Sequence, residues 1–280
     1  MKLCRIGDPG LERPAMISVN GRILDLSGVI DDIDGAWLAS GGITTLRGVD
    51  PSSLPEVNNG IRLGVPVARI GKIVCAGMNY RDHCLEAGLP IPEQPALFMK
   101  ATSSLSGPND PVVQPAGSTQ LDWEIELAAV IGRTARSVSS DEALSFVAGY
   151  TILNDVSDRD FQFNHGGQWF KGKSADTFCP VGPWLVTADE INDPQALSLK
   201  LSVNGKEMQC GNTSSMIFGL AELIAHVSSY MTLEPGDILS TGTPPGVGMG
   251  QKPDPRWLAP GDIMRLEIEG LGAQEQRVVS

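Results

Sequence analysis

Basic residues are scarce in this sequence: 21 Lys and Arg stand against 33 Asp and Glu, for a net charge of −12. A nucleic-acid partner needs a basic surface, and none is visible, so that class is excluded. The five cysteines are odd in number and include no Cys-x-x-Cys pair, which fits reduced thiols better than a disulfide framework or a zinc site. No apolar run approaches the ~20 residues of a membrane span. Met1 to Pro14 carries charges and proline where a secretory leader needs an apolar segment. The expectation is a cytoplasmic protein with neither membrane nor nucleic acid as partner.

What is abundant points to strands and turns. Gly (32) and Pro (20) punctuate many short apolar runs, and 280 residues at 41% hydrophobic content suffice for one large or two modest domains. The chain is organised around Leu121 to Arg133, where Asp122, Glu124 and Glu126 alternate with Leu121, Trp123, Ile125 and Leu127. In a strand this two-residue period sends the acids to one face, about 6.5–7 Å apart. Spacing alone leaves a solvated outer face and a buried acidic pocket equally open. Ala128 to Ile131, apolar on both faces, and a second acidic cluster some thirty residues on favour the pocket. Carboxylates so close need a cation between them wherever water is excluded.

Residues 1–69 read as a small β-rich unit, with Asn20-Gly21 as a two-residue hairpin turn between Ile17-Ser18-Val19 and Arg22-Ile23-Leu24. Asp31 to Gly35 lacks the alternating acids and distal Glu of a calcium loop and reads as a turn. Gly48 to Pro66 reads as a linker to a main domain over residues 70–280. Further on, Asn204-Gly205 marks a second hairpin, and Ser214 to Tyr230 has the apolar spacing of the longest helix. His226 on that helix reads as structural or solvated. Ser140 to Ala148 reads as a capped helix and Gly149 to Leu153 as a strand.

Four further stretches carry candidate chemistry. After the strand Lys72 to Gly77, Asn79 can cap a short helix that Gly88 and Pro90 end, which places His83 beside Glu86. A carboxylate beside an imidazole raises its basicity, as a general base requires, although such a pair is common on surfaces. Asn154 to Gln162 puts three acids and an arginine at a strand's end; beside a carboxylate row short of a cation, Asp155 becomes a candidate third metal ligand. The glycines of Asn164-His165-Gly166-Gly167 suggest a mobile loop, His165 reads as an ordinary exposed residue, and Lys171 or Lys173 can neutralise an anionic substrate. Thr241 to Gly248 can cradle an anion, but with no helix after it it is not a nucleotide site.

Together these stretches resemble the fumarylacetoacetate hydrolase family. The resemblance runs through Gly77-Met78-Asn79-Tyr80 with His83 and Glu86, Asp122-x-Glu124-x-Glu126-Leu127, Asn154-Asp155-x-Ser157-x-Arg159-Asp160-x-Gln162, Lys173-x-x-Asp176-Thr177-Phe178 and Thr241-Gly242-Thr243-Pro244. It implies an α+β, mostly β fold: a mixed β-sandwich roll with few helices, here preceded by the small β-rich unit, and a homodimer. It also implies one divalent cation, Mg²⁺ or Mn²⁺ with Ca²⁺ as a further candidate, held by Glu124, Glu126 and Asp155, with Asp122 behind them. Oxygen ligands suit such hard cations. His83 and Glu86 become the water-activating pair, Lys173 the active-site lysine, and Arg159 and Gln162 substrate contacts. Thr243 becomes a donor near the developing oxyanion. Asp158, where many members have a small residue, is a departure.

The activity implied is hydrolysis of a carbon–carbon bond in a 2,4-diketo acid, with sugar-acid catabolism as its setting. The closest likeness is to members acting on 2,4-diketo-3-deoxy-L-rhamnonate or -fuconate, whose relatives are often labelled ureidoglycolate lyase. Rival readings are that lyase, a 2-keto-acid decarboxylase or isomerase of the oxaloacetate or hydroxyhepta-diene-dioate type, and a non-catalytic metal-binding protein.

Overall fold

The structure is a computed structural model that describes residues 1–58 and 60–280. Two sheets face each other across the main core. The larger has twelve strands, and its central order runs Lys2–Ile6, Cys179–Thr187, Val147–Asn154, Ile125–Ile131, Ile238–Ser240, Ile73–Gly77 and Ala96–Lys100. The smaller has five, ordered Lys206–Asn212, Ser198–Val203, Ile263–Ile268, Gly272–Val279 and Val112–Val113. The expected mostly β architecture with few helices is what is found.

Ile125–Ile131 is the hub because, Glu126 apart, its side chains are apolar on both faces. Ile125, Leu127, Ala129 and Ile131 belong to the core between the sheets, with Leu199, Leu201, Leu266 and the helix residues Leu223, Ile224 and Val227. Ala128 and Val130 point the other way, into a second core with Leu3, Leu24, Ile33 and Leu38 from the amino-terminal unit. Such two-sided burial requires a continuous apolar run, and Leu127 to Ile131 supplies one directly after Glu126. The amino-terminal strands extend the same sheet: Lys2–Ile6 pairs antiparallel with Cys179–Thr187, at Lys2↔Val186 and Leu3↔Leu185. Among the described residues no helix is long and apolar enough to cross a membrane.

Several local expectations hold and several shift. Asn204-Gly205 is a two-residue turn with both residues at positive φ (51° and 77°) between the paired Val203 and Lys206. The first hairpin instead closes over Val19-Asn20-Gly21. Ser18 N–H donates to Arg22 O (2.9 Å) and Gly21, at φ 75°, takes the left-handed position of a three-residue loop. Residues 48–66 are no free linker, since Glu56–Val57 and Leu63–Gly64 pair with strands of the large sheet; Asn59 within them lies outside the described residues. The helix expected over 140–148 stops at Ala143, because a short turn and then the strand Val147–Asn154 take up the residues after it. The longest helix spans Leu220–Tyr230, after a separate turn at Thr213–Ser215.

Candidate active site

Register brings the acids together. Ile125 lies opposite Asn154 on the neighbouring antiparallel strand, so Glu124 and Asp155 face each other where both strands end. Asp155 N–H donates to Glu124 O at 2.9 Å, and Glu124 N–H to Asn154 Oδ1 at 3.2 Å. Ligand atoms of Glu124, Glu126 and Asp155 all lie within 4.8 Å of one another, and all three residues are buried. Three carboxylate oxygens at this spacing fit one hard divalent cation.

The chain supplies cations of its own around these acids. Lys173 Nζ donates to Glu124 Oε2 (2.8 Å) and Asp155 Oδ2 (2.7 Å). Arg159 donates to Glu124 Oε1 (2.6 Å), Asp122 Oδ2 (2.8 Å) and Gln162 Oε1 (3.0 Å). Lys100, which nothing in the sequence marks as more than a strand residue, is buried and donates to Asp155 Oδ1 (2.5 Å) and Val156 O (3.2 Å). Four buried carboxylates, Asp122 included, thus meet three buried cations, a formal excess of one negative charge. Burial alone would raise Glu124, yet Lys173 and Arg159 hold its pKa down at about 2. Glu126 has no such partner: burial, then Asp155 and Glu124, push it well above the usual carboxylate range. Its Oε2 accepts from Ser240 Oγ (2.5 Å) and Gly242 N–H (3.0 Å).

This charge arrangement sets a stability test. Lys100→Met removes one cation and leaves Asp155 buried beside two other acids, at an expected cost of about 3–5 kcal/mol. Thermal melts with and without Mn²⁺ check this, with saturating Mn²⁺ expected to recover part of the loss. A variant melting with wild type in metal-free buffer contradicts the charge balance.

The loop after Ile238–Ser240 does cradle anions, and they are the chain's own carboxylates. Gly242 N–H holds Glu126, Gly246 N–H holds Glu86 Oε1 (2.9 Å), and Gly248 and Met249 N–H hold the two oxygens of Asp122 (2.5 and 3.1 Å). Adjacent backbone N–H groups in a glycine-rich loop make such an anion nest. On the short helix Arg81–Glu86, His83 Nδ1 lies 3.2 Å from Glu86 Oε2. Asn79 does not cap that helix. Its amide is spent instead on Phe218 O (3.0 Å), Thr241 O (2.8 Å) and Phe218 N–H (2.9 Å), which anchors the loop before His83 to the loop around Thr241.

One cavity is lined by His83, Glu124, Glu126, Arg159, Gln162, Lys173 and Thr243, so it gathers residues from every stretch singled out in the sequence. Its other walls include Met78, Ala87, Leu89, Phe98, Phe163, Trp169 and Met249. Gln162 gives its carbonyl oxygen to Arg159, which leaves its NH₂ group for the cavity. Thr243 departs from its expected role: its hydroxyl donates to Ile125 O (2.8 Å) and accepts from Gln209 Nε2 (2.8 Å), so its proton is directed into the backbone. Residues 159–173 form two short helices, Arg159–Phe163 and Trp169–Lys173, around the His165 turn. His165 is exposed and pairs with Asp160 at 2.9 Å, and Lys171 donates to His165 O, away from the acids. Asp158 caps Arg159–Phe163 and accepts from Ser118 Oγ, outside the cavity lining.

A two-sheet β fold that buries three converging carboxylates, two of them lining one cavity with His83, fits an enzyme site able to hold a divalent metal. Residues 72–279 match the fumarylacetoacetate (FAA) hydrolase C-terminal family. The chain is 57% identical over 278 residues to the 2,4-didehydro-3-deoxy-L-rhamnonate hydrolase of Sphingomonas sp. (strain SKA58), covering 99% of this chain and 96% of that one. Among solved structures it is similar to fumarylacetoacetate hydrolase from Exiguobacterium antarcticum (38% identity, TM-score 0.86, 100% and 99% coverage). It is also similar to maleylpyruvate hydrolase from Sphingobium sp. SYK-6, solved with manganese(II) and pyruvate (33% identity, TM-score 0.81, 100% and 99% coverage). The chain belongs to the fumarylacetoacetate hydrolase family and is an enzyme that hydrolyses carbon–carbon bonds.

Proposed function

We propose that this enzyme cleaves a 2,4-diketo-3-deoxy sugar acid, the L-rhamnonate derivative first, between C3 and C4 to give pyruvate and a small hydroxy acid. The observation that carries the proposal is that His83, bonded to Glu86, lines the same cavity as Glu124 and Glu126. Glu124, Glu126 and Asp155 would hold one Mg²⁺ or Mn²⁺. When bound, the cation supplies a chelator for the 1-carboxylate and 2-oxo oxygens and an acceptor for the charge left on the departing three-carbon fragment.

The chain's own residues do the rest. Glu86 accepts from His83 Nδ1 and is itself held by Gly246 N–H, so Nε2 is the nitrogen left to take a proton from water. That water attacks C4; the C3–C4 bond breaks with its electron pair on C3, C3 takes the proton that His83 removed from water to become the methyl of pyruvate, and C4 becomes the new carboxylate. Lys173 and the Gln162 NH₂ group face the substrate's oxygens, while Arg159 keeps Glu124 and Asp122 in place. Arg159 and Lys173 are the cations lining this cavity and both are tied to carboxylates, while Ala87, Leu89, Phe163 and Met249 are apolar. This favours an uncharged tail over a second carboxylate. A decarboxylase or isomerase has no use for an activated water, so the His83–Glu86 pair favours hydrolysis.

The same reading keeps residues 1–69 as a small amino-terminal unit on a catalytic domain of residues 70–280, supported by a family match that begins at residue 72. It places the enzyme in sugar-acid catabolism in the cytoplasm, as a homodimer. The test is a panel of 2-keto and 2,4-diketo acids with Mg²⁺ or Mn²⁺ present. Equimolar pyruvate and lactate from 2,4-diketo-3-deoxy-L-rhamnonate is the expected result. Turnover confined to oxaloacetate, with no diketo acid cleaved, would replace the proposal by the decarboxylase.

A further inference from the structure

We propose that Gln209 is a positioning residue that locks the anion-holding loop Gly242–Met249 onto the carboxylate strand, and so fixes His83 and Glu86 relative to Glu124 and Glu126. The proposal rests on the assignment of His83 and Glu86 to water activation. Gln209 lies on the strand Lys206–Asn212 of the smaller sheet and is that strand's one buried residue. The pairing with Ser198–Val203 skips Met208, since Leu201 is opposite Gln209 and Ser202 opposite Glu207. An extra residue of this kind bends a strand and re-aims its neighbouring side chain.

Here the re-aimed side chain enters the site's framework. Its Oε1 accepts from Ile125 N–H (3.0 Å), the backbone group between Glu124 and Glu126. The strand Ile238–Ser240 pairs only at Ala128 to Val130, so it does not reach this donor. Both Nε2 hydrogens are used as well, on Thr243 Oγ1 (2.8 Å) and Pro244 O (2.7 Å). One amide therefore bonds the acid strand on one side and the loop on the other. The loop is also pressed onto this strand: a Cβ on Gly246 would meet Met208 O at 1.9 Å. Gly246 is the residue whose N–H orients Glu86, and its carbonyl accepts from Trp123 Nε1 (3.1 Å). Movement of the loop away from Ile125 would thus carry Glu86, and His83 with it, off the line to the carboxylates.

Gln209→Glu leaves at most one donor to the loop, and Gln209→Met removes both donors and the acceptor without adding charge. For both, kcat on the diketo acid is expected to fall by at least tenfold, with KM and the Kd for Mn²⁺ alone each within about threefold of wild type. A misplacement of about 1 Å costs on the order of 10²-fold. The indole N–H resonance of Trp123, assigned through Trp123→Phe, is expected to shift because its acceptor lies on the loop. A purely structural role would lower activity only in proportion to the folded fraction and leave that resonance in place; this result, kcat within threefold of wild type, or failure of both variants to fold overturns the proposal. Wild-type turnover in His83→Ala would instead remove the base assignment, and the Trp123 signal would still report whether Gln209 braces the loop.

Discussion

Glu126→Ala is expected to bind Mn²⁺ at least a hundredfold more weakly than wild type and to lose measurable turnover. Loss of a group that merely supports a ligand typically costs 10–100-fold in affinity or activity, so loss of a ligand itself should cost no less. Glu126 is the sharpest test among the three acids because no lysine or arginine pairs with it. Glu124 and Asp155 are neutralised by Arg159, Lys173 and Lys100, whereas among the described residues Glu126 has only Ser240 and Gly242 as hydrogen-bond partners. Its isolation leaves a divalent cation as the natural counter-charge. Calorimetric titration with Mn²⁺, together with turnover, reads both effects. Wild-type affinity in the variant would show that the cluster is a structural ion network and no metal site.

His83→Ala is expected to keep Mn²⁺ affinity within about threefold while kcat falls by about 10²–10⁴, the usual contribution of a positioned general base. The separation of the two effects comes from the geometry. His83 sits on Arg81–Glu86, bonded to Glu86, whereas Glu126 sits on Ile125–Ile131, Glu124 just before it, and Asp155 just after Val147–Asn154. Glu86→Gln should fall between wild type and His83→Ala, since the imidazole remains but loses its anionic partner. A His83→Ala enzyme within threefold of wild type would show that another group activates the water.

How far the sequence could be read depends on the range of the interactions involved. The row Asp122, Glu124, Glu126 and the apolar run behind it are local patterns, but the single strand they suggest is broken at Trp123-Glu124: only Glu126 lies on the strand that both cores are built around, while Asp122 lies on Leu121–Asp122, which pairs with Ser157–Asp158 in a separate two-stranded sheet. The Asn204-Gly205 turn is equally local. Asp155 becomes a partner of Glu124 only through antiparallel register, which spacing along the chain does not encode; the second acidic cluster made it a candidate and the family resemblance assigned it. Lys100 ends an apolar strand as surface lysines commonly do, and only the fold brings Asp155 over it. Gln209 has no local mark at all, because its burial comes from a bulge and from a loop more than thirty residues downstream. Asn79 shows the opposite failure. Its position suits a cap, but three tertiary hydrogen bonds outcompete the single local one.

The measurement that bears most directly on hydrolytic carbon–carbon cleavage is turnover of 2,4-diketo-3-deoxy-L-rhamnonate in ¹⁸O-labelled water, with both products analysed by mass spectrometry. Attack by the water that His83 activates puts one ¹⁸O into the carboxylate of the hydroxy acid, in equal amount to pyruvate formed. Release of CO₂ without that labelled acid, or an unlabelled hydroxy acid, would contradict the assignment.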